Sequence, residues 1–161
     1  MLVTAVTFPT VALAVHILFV VAAFGVVIGY PVMAVAAERV DRRAMPVLHR
    51  VRVMVARSLV NPGLLVVVVA GVYLASHLHQ WSHFYVQWGI GAAVVIGALE
   101  GSFVIPHEKR LAELASRDIA AAGGGEVEWS RDYVAARGRS NLVGWVMALL
   151  VAATIVVMTV Q

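Results

Sequence analysis

Cysteine is absent from the 161 residues, and that gap excludes disulfides, thiolate metal centres, iron–sulfur clusters, cysteine nucleophiles and thioether-linked haem. Any metal or cofactor would need histidine, methionine, carboxylate or backbone ligands. Charge is nearly as scarce. Only 13% of residues are Asp, Glu, Lys or Arg against 61% hydrophobic, and mean hydropathy is +0.90, above the range of a water-soluble domain of this size. Met1 to Ala37 carries no formal charge, a run too long for the apolar core of a signal peptide and without the basic start such peptides have. Hydrolase and nucleotide signatures are missing too: there is no G-x-S-x-G, no H-E-x-x-H and no Walker loop. The Gly123 to Gly125 run lacks the lysine and the preceding strand that phosphate binding needs. His107-Glu108 lacks the second histidine of a zinc helix and reads as a polar cluster at a helix end. No catalytic residue is assigned.

The charge that is present is placed unevenly. A net charge of +3 and a pI near 9.8 would raise nucleic-acid binding in a soluble protein. Here all 12 Lys and Arg fall in two stretches, six from Arg39 to Arg57 and six from Lys109 to Arg139. That is the positive-inside pattern of a membrane protein, so no nucleic-acid partner is expected. The expected fold is all-α: a single polytopic domain, a bundle of four transmembrane helices with N-out/C-out topology, set in the cell (inner, cytoplasmic) membrane.

The spans are expected at about 9–36, 58–76, 84–106 and 140–160, with cytoplasmic loops 37–57 and 107–139. Pro9 suits a first helical turn, and Tyr30-Pro31 mark the inner interface of span one. Val47, Leu48, Val51 and Val55 recur at helical spacing and predict an amphipathic run along the inner surface. Asn61-Pro62-Gly63 should bend or loosen the start of span two. Trp81, Tyr85 and Trp88 serve as outer interfacial anchors. The second loop opens amphipathically at Leu111 and Leu114, is part helical, and is flexible at Gly123-Gly124-Gly125. Gln161 is expected outside.

Small residues at four-residue spacing, Gly25/Gly29, Gly97/Gly101 and Gly144/Ala148/Ala152, suit close helix contacts. They are expected to be ordinary faces within the bundle, with a homodimer or larger membrane complex as the alternative.

Four of the six histidines, His16, His77, His79 and His83, fall toward the outer side. Counting about 20 residues from each inner boundary puts His16 and His77 near one level. This is the best candidate for a cofactor or metal: haem b clamped by His16 and His77, or copper or zinc held by His16, His77, His79 and His83. The plain alternative is histidines lying among lipid headgroups. Toward the inner side, Glu100 sits about 6 residues, roughly 9 Å, from the end of span three. A structural ion pair with Arg57, supported by Asn61 and Tyr30, is expected there, with proton relay as the alternative.

The order LAVHILFVVAAFGVVIG (Leu13 to Gly29), a basic loop, GVYLASHLHQW (Gly71 to Trp81) and IPHEKRL (Ile105 to Leu111) resembles the DUF2269 group of integral membrane proteins over residues 10 to 115. More distantly it is similar to the four-helix haem-binding protoporphyrinogen oxidases and the CopD-type membrane domain. The resemblance implies a helical bundle with a haem or copper site using His16. The chain departs from the haem oxidases in carrying Phe24-Gly25 and Tyr30-Pro31 where they have Trp-x-x-Gly-Leu and Leu-Pro-Arg. Three function classes follow: a haem- or metal-binding redox protein, a small transporter or channel using Glu100, and a non-catalytic subunit or assembly factor.

Overall fold

A computed structural model describes residues 7–160, which are helical apart from short connections. Four continuous helices are each long and apolar enough to cross a membrane: α1 (Phe8–Val40), α2 (Arg42–His77), α3 (Phe84–Ala122) and α4 (Arg131–Thr159). Gln161, expected outside, lies beyond the described residues. Pro9 occupies the first turn of α1, where its missing N–H costs no hydrogen bond. Ser130 caps α4, its hydroxyl accepting from the Tyr133 amide.

At 1.5 Å per residue the longest helix, α3, spans ~58 Å, nearly twice a hydrocarbon core of ~30 Å. The excess lies at one end, and there are two cores. Phe24, Val27, Val60, Leu64, Ile96, Val104, Met147 and Val151 fill the apolar bundle. Met45, Leu111, Ala115, Tyr133 and Ala136 form a second core, with Ala37, Leu48, Leu114 and Trp129 packed on it. The second core unites the end of α1, the start of α2, the end of α3 and the start of α4, so every lysine and arginine sits at that end of the molecule.

Two expectations are sharpened. The stretch after Pro106, expected to be part helical, is helix as far as Ala122. The amphipathic run is no separate surface helix, because it continues unbroken into span two. Its buried side is Met45, Pro46 and His49, while Val47 and Val51 are exposed. The second core supplies the reason: Met45 is drawn into it and His49 meets a buried acid.

Each of α2 and α3 contains one π turn, at Ala56–Val60 and Glu100–Val104. Both begin six residues before a proline, Pro62 and Pro106. Proline withdraws the amide that would close the preceding turn, and an i→i+5 turn absorbs one extra residue. This is the form taken by the loosening expected at Asn61-Pro62. In both turns a serine, Ser58 or Ser102, donates its hydroxyl back to the carbonyl four residues earlier. The turns also set register. Ile96 and Glu108, both buried, are twelve residues apart, which a plain α-helix would place about 120° apart around the axis. Absorbing one residue returns them to nearly one face. The same holds for Arg52 and Leu64 in α2.

The glycines divide. A Cβ on Gly97 would lie 3.1 Å from Leu64, and one on Gly144 3.6 Å from Pro31, so these make close contacts within the bundle. A Cβ on Gly25, Gly29 or Gly101 would meet nothing within 4 Å among the described residues. Contrary to expectation, the Gly25/Gly29 pair is not an internal contact face.

Candidate functional site

Glu108 is 1% exposed and lies on the α3 face that buries Val104, Leu111 and Ala115. A carboxylate on such a face must find donors, and it has four. His49 Nδ1 is 2.6 Å from Oε2, Arg52 donates to Oε1 at 3.0 Å, the Ser140 hydroxyl donates to Oε1 at 2.5 Å, and the Tyr30 hydroxyl donates to Oε2 at 3.3 Å. These donors come from α1, α2 and α4, so one side chain of α3 ties all four helices together. The network extends further. His49 Nε2 lies 3.1 Å from the Tyr133 hydroxyl, and the Arg52 guanidinium sits 3.8 Å from the centroid of the Tyr30 ring. The tautomer with its hydrogen on Nδ1 donates to the carboxylate and leaves Nε2 to accept from the Tyr133 hydroxyl. The cluster is closed: charge is balanced by charge and polar atoms by polar atoms, as a buried ion pair needs in order not to cost stability.

Glu100 has no such company. It is 3% exposed, it opens the π turn of α3, and its Oε2 is buried with no hydrogen-bond partner among the described residues. Arg52 and Glu108 are the charged groups that act on it. Eight residues separate it from Glu108, placing it about 12 Å farther into the bundle. A bare carboxylate there is costly to desolvate, whereas a carboxyl carrying a proton, or a carboxylate holding a cation, is not. The arrangement can therefore take up and release a small positive charge.

The residues expected from the sequence distribute as follows. Tyr30 joins the polar network, but at Glu108. Arg57 is exposed and forms no ion pair among the described residues, and Asn61 is half-buried without a side-chain hydrogen bond. The expected Arg57–Glu100 pair is thus not made, because Arg57 points away from the bundle and Arg52 takes the inward position. His16 is half-buried between α1 and α2, its Nδ1 2.9 Å from the Val67 carbonyl. Gly71 leaves room for the ring, since a Cβ there would lie 3.2 Å from His16 Cε1. His77 stacks on Tyr73 at 5.8 Å, and Tyr73 faces Phe8. Phe8 is eight residues, about 12 Å, above His16 on α1, so His16 and His77 lie at different levels. The count failed because α1 runs far past the inner interface. His77, His79 and His83 are exposed, and no group of three or more metal-ligating side chains converges among the described residues. These residues do not fit a two-histidine haem clamp.

Neither family models, nor curated proteins, nor solved structures match this chain.

Sequence reasoning missed Glu108, His49, Arg52, Ser140 and Tyr133. A signal was present. Glu108 is in helical phase with Leu111, Ala112 and Ala115, and His49 is one turn from Met45, so both are polar residues on apolar faces. Choosing the valine face of residues 47–55 turned His49 outward and hid the pairing.

Proposed function

We propose that this protein is a multi-pass component of the cell (cytoplasmic) membrane, with both termini outside, that carries a proton or small cation at Glu100 as the core of a small transporter or channel. The observation that carries this reading is the buried, unpartnered carboxyl oxygen of Glu100. Its position supports the reading: the residue opens a π turn, a helix irregularity that recurs at functional sites, and Glu108, paired with Arg52, follows about 12 Å along α3 toward the basic end. Orientation follows from the basic end of the bundle facing the cytoplasm. Four helices leave little room for a pathway, so a homodimer is the working form. The DUF2269 resemblance stands as a proposal beside this one. Haem b, copper or zinc at the outer histidines draws no support from their separation.

The test is flux in proteoliposomes. A proton- or cation-sensitive dye should report transport by the wild type and its loss in Glu100→Gln. Normal flux in that variant, or none in the wild type, would overturn the reading. A subunit or assembly role is the second reading, favoured by the Glu108 cluster, whose satisfied hydrogen bonds serve only to join helices.

A further inference from the structure

The outward face of α2 runs without interruption from the apolar bundle into the basic end. Leu65 and Val69 are 65% and 61% exposed and, because the π turn at Ala56–Val60 absorbs one residue, lie nearly in line with Arg57 and Arg50. Met54 (60%), Val51 (42%) and Val47 (60%) run beside the two arginines. Arg50 and Arg57 are exposed, lie two turns apart, and make no ion pair or hydrogen bond among the described residues. Of the other arginines at this end, Arg42 and Arg43 hold the carbonyls of Val127, Gly123 and Gly125, Arg52 binds Glu108, and Arg137 pairs with Glu38, while Arg39, Arg110, Arg131 and Arg139 are exposed on the other three helices. The Ser58 hydroxyl is turned back to Met54 and offers no donor.

We infer that this strip binds an anionic phospholipid of the inner leaflet, its phosphate held between Arg50 and Arg57 and an acyl chain lying along Met54 and Leu65. The two Cα atoms are about 10 Å apart, a gap that two long arginine side chains close onto one phosphate. A guanidinium offers forked donors that match phosphate oxygens. Continuity with the apolar face selects a lipid over a water-borne phosphate, because only a lipid satisfies the uncompensated charge and the exposed Met54 and Val51 together. This site is independent of Glu100.

Native mass spectrometry of the full chain in mild detergent, with equimolar phosphatidylglycerol and phosphatidylcholine of identical chains, tests it. Wild type should retain phosphatidylglycerol preferentially. In the Arg50→Gln/Arg57→Gln variant that preference should fall about fivefold per arginine. The Arg131→Gln/Arg139→Gln variant, which removes two exposed arginines of α4, should keep it. An undiminished preference in the first variant, or an equal loss in the second, would overturn the assignment. All four substituted residues are exposed, and circular dichroism checks that each variant is folded.

Discussion

His49 and Glu108, 59 positions apart in the chain, meet at 2.6 Å with both side chains almost wholly buried. This contact fastens α2 to α3 where the bundle passes into the second core, and Arg52, Ser140 and Tyr30 complete it from the other helices. The arrangement makes Glu108 the residue whose loss should cost the fold most.

Glu108→Ala leaves the Arg52 cation and three polar groups without their acceptor in a closed interior. The expected loss is about 3–5 kcal/mol, read as a large drop in thermal midpoint in detergent. His49→Phe, which removes one hydrogen bond to the carboxylate and one to Tyr133, should cost about 1–3 kcal/mol.

Glu100→Gln should behave oppositely. Its carboxyl supports no hydrogen bond through Oε2, so the variant should melt at or above the wild-type temperature while losing flux. A marked destabilisation would show that Glu100 is structural after all.

Asp118 gives the basic end a dependence on acid. Twelve residues past Pro106, about 18 Å along α3, it accepts from the Ser130 amide at 2.9 Å and the Ser130 hydroxyl at 2.8 Å. Burial alone would raise its pKa, but those bonds and Arg117 outweigh it and hold the carboxyl below its usual 3.8. A depressed folded-state value means stability fully present above the unfolded value and lost as pH falls through the folded one. The gap in thermal midpoint between wild type and Asp118→Asn should be constant above about pH 4 and close below it.

The cysteine-free sequence makes topology simple to measure. Ser82→Cys and Gly124→Cys place single thiols at exposed positions in the two connections on opposite ends. A membrane-impermeant maleimide should label Ser82→Cys in intact cells and Gly124→Cys only after lysis. The reverse pattern would invert the orientation.

Haem added to the purified protein should give no two-histidine spectrum after dithionite reduction, because His16 is bound to Val67, ten residues or about 15 Å along α2 from His77. A sharp low-spin spectrum lost in His16→Ala would contradict the geometry.

The four crossings were legible because hydropathy and basic clustering are sums over many residues, so local error averages out. Side-chain pairing is not such a sum. Arg57 and Arg52 are equivalent in composition and differ only in helical phase, five residues placing them about 140° apart around α2, and the π turn at Ala56–Val60 shifts the phase of the span beyond them. Glu100 was recognisable as an acid inside an apolar run. Glu108 was not, since the expected end of span three at Pro106 assigned it to solvent.

The two π turns also bear on how the gene product could change length. Removing one residue from within Glu100–Val104 would let the π turn close as an ordinary α turn, and Ile96 and Glu108, then eleven residues apart, would still fall within about 20° of one face. Glu108 would keep its place among its four donors. The same deletion elsewhere between Ile96 and Glu108 would be compensated only if the π turn closed, whereas one beyond Glu108 would swing the rest of α3 through about 100°.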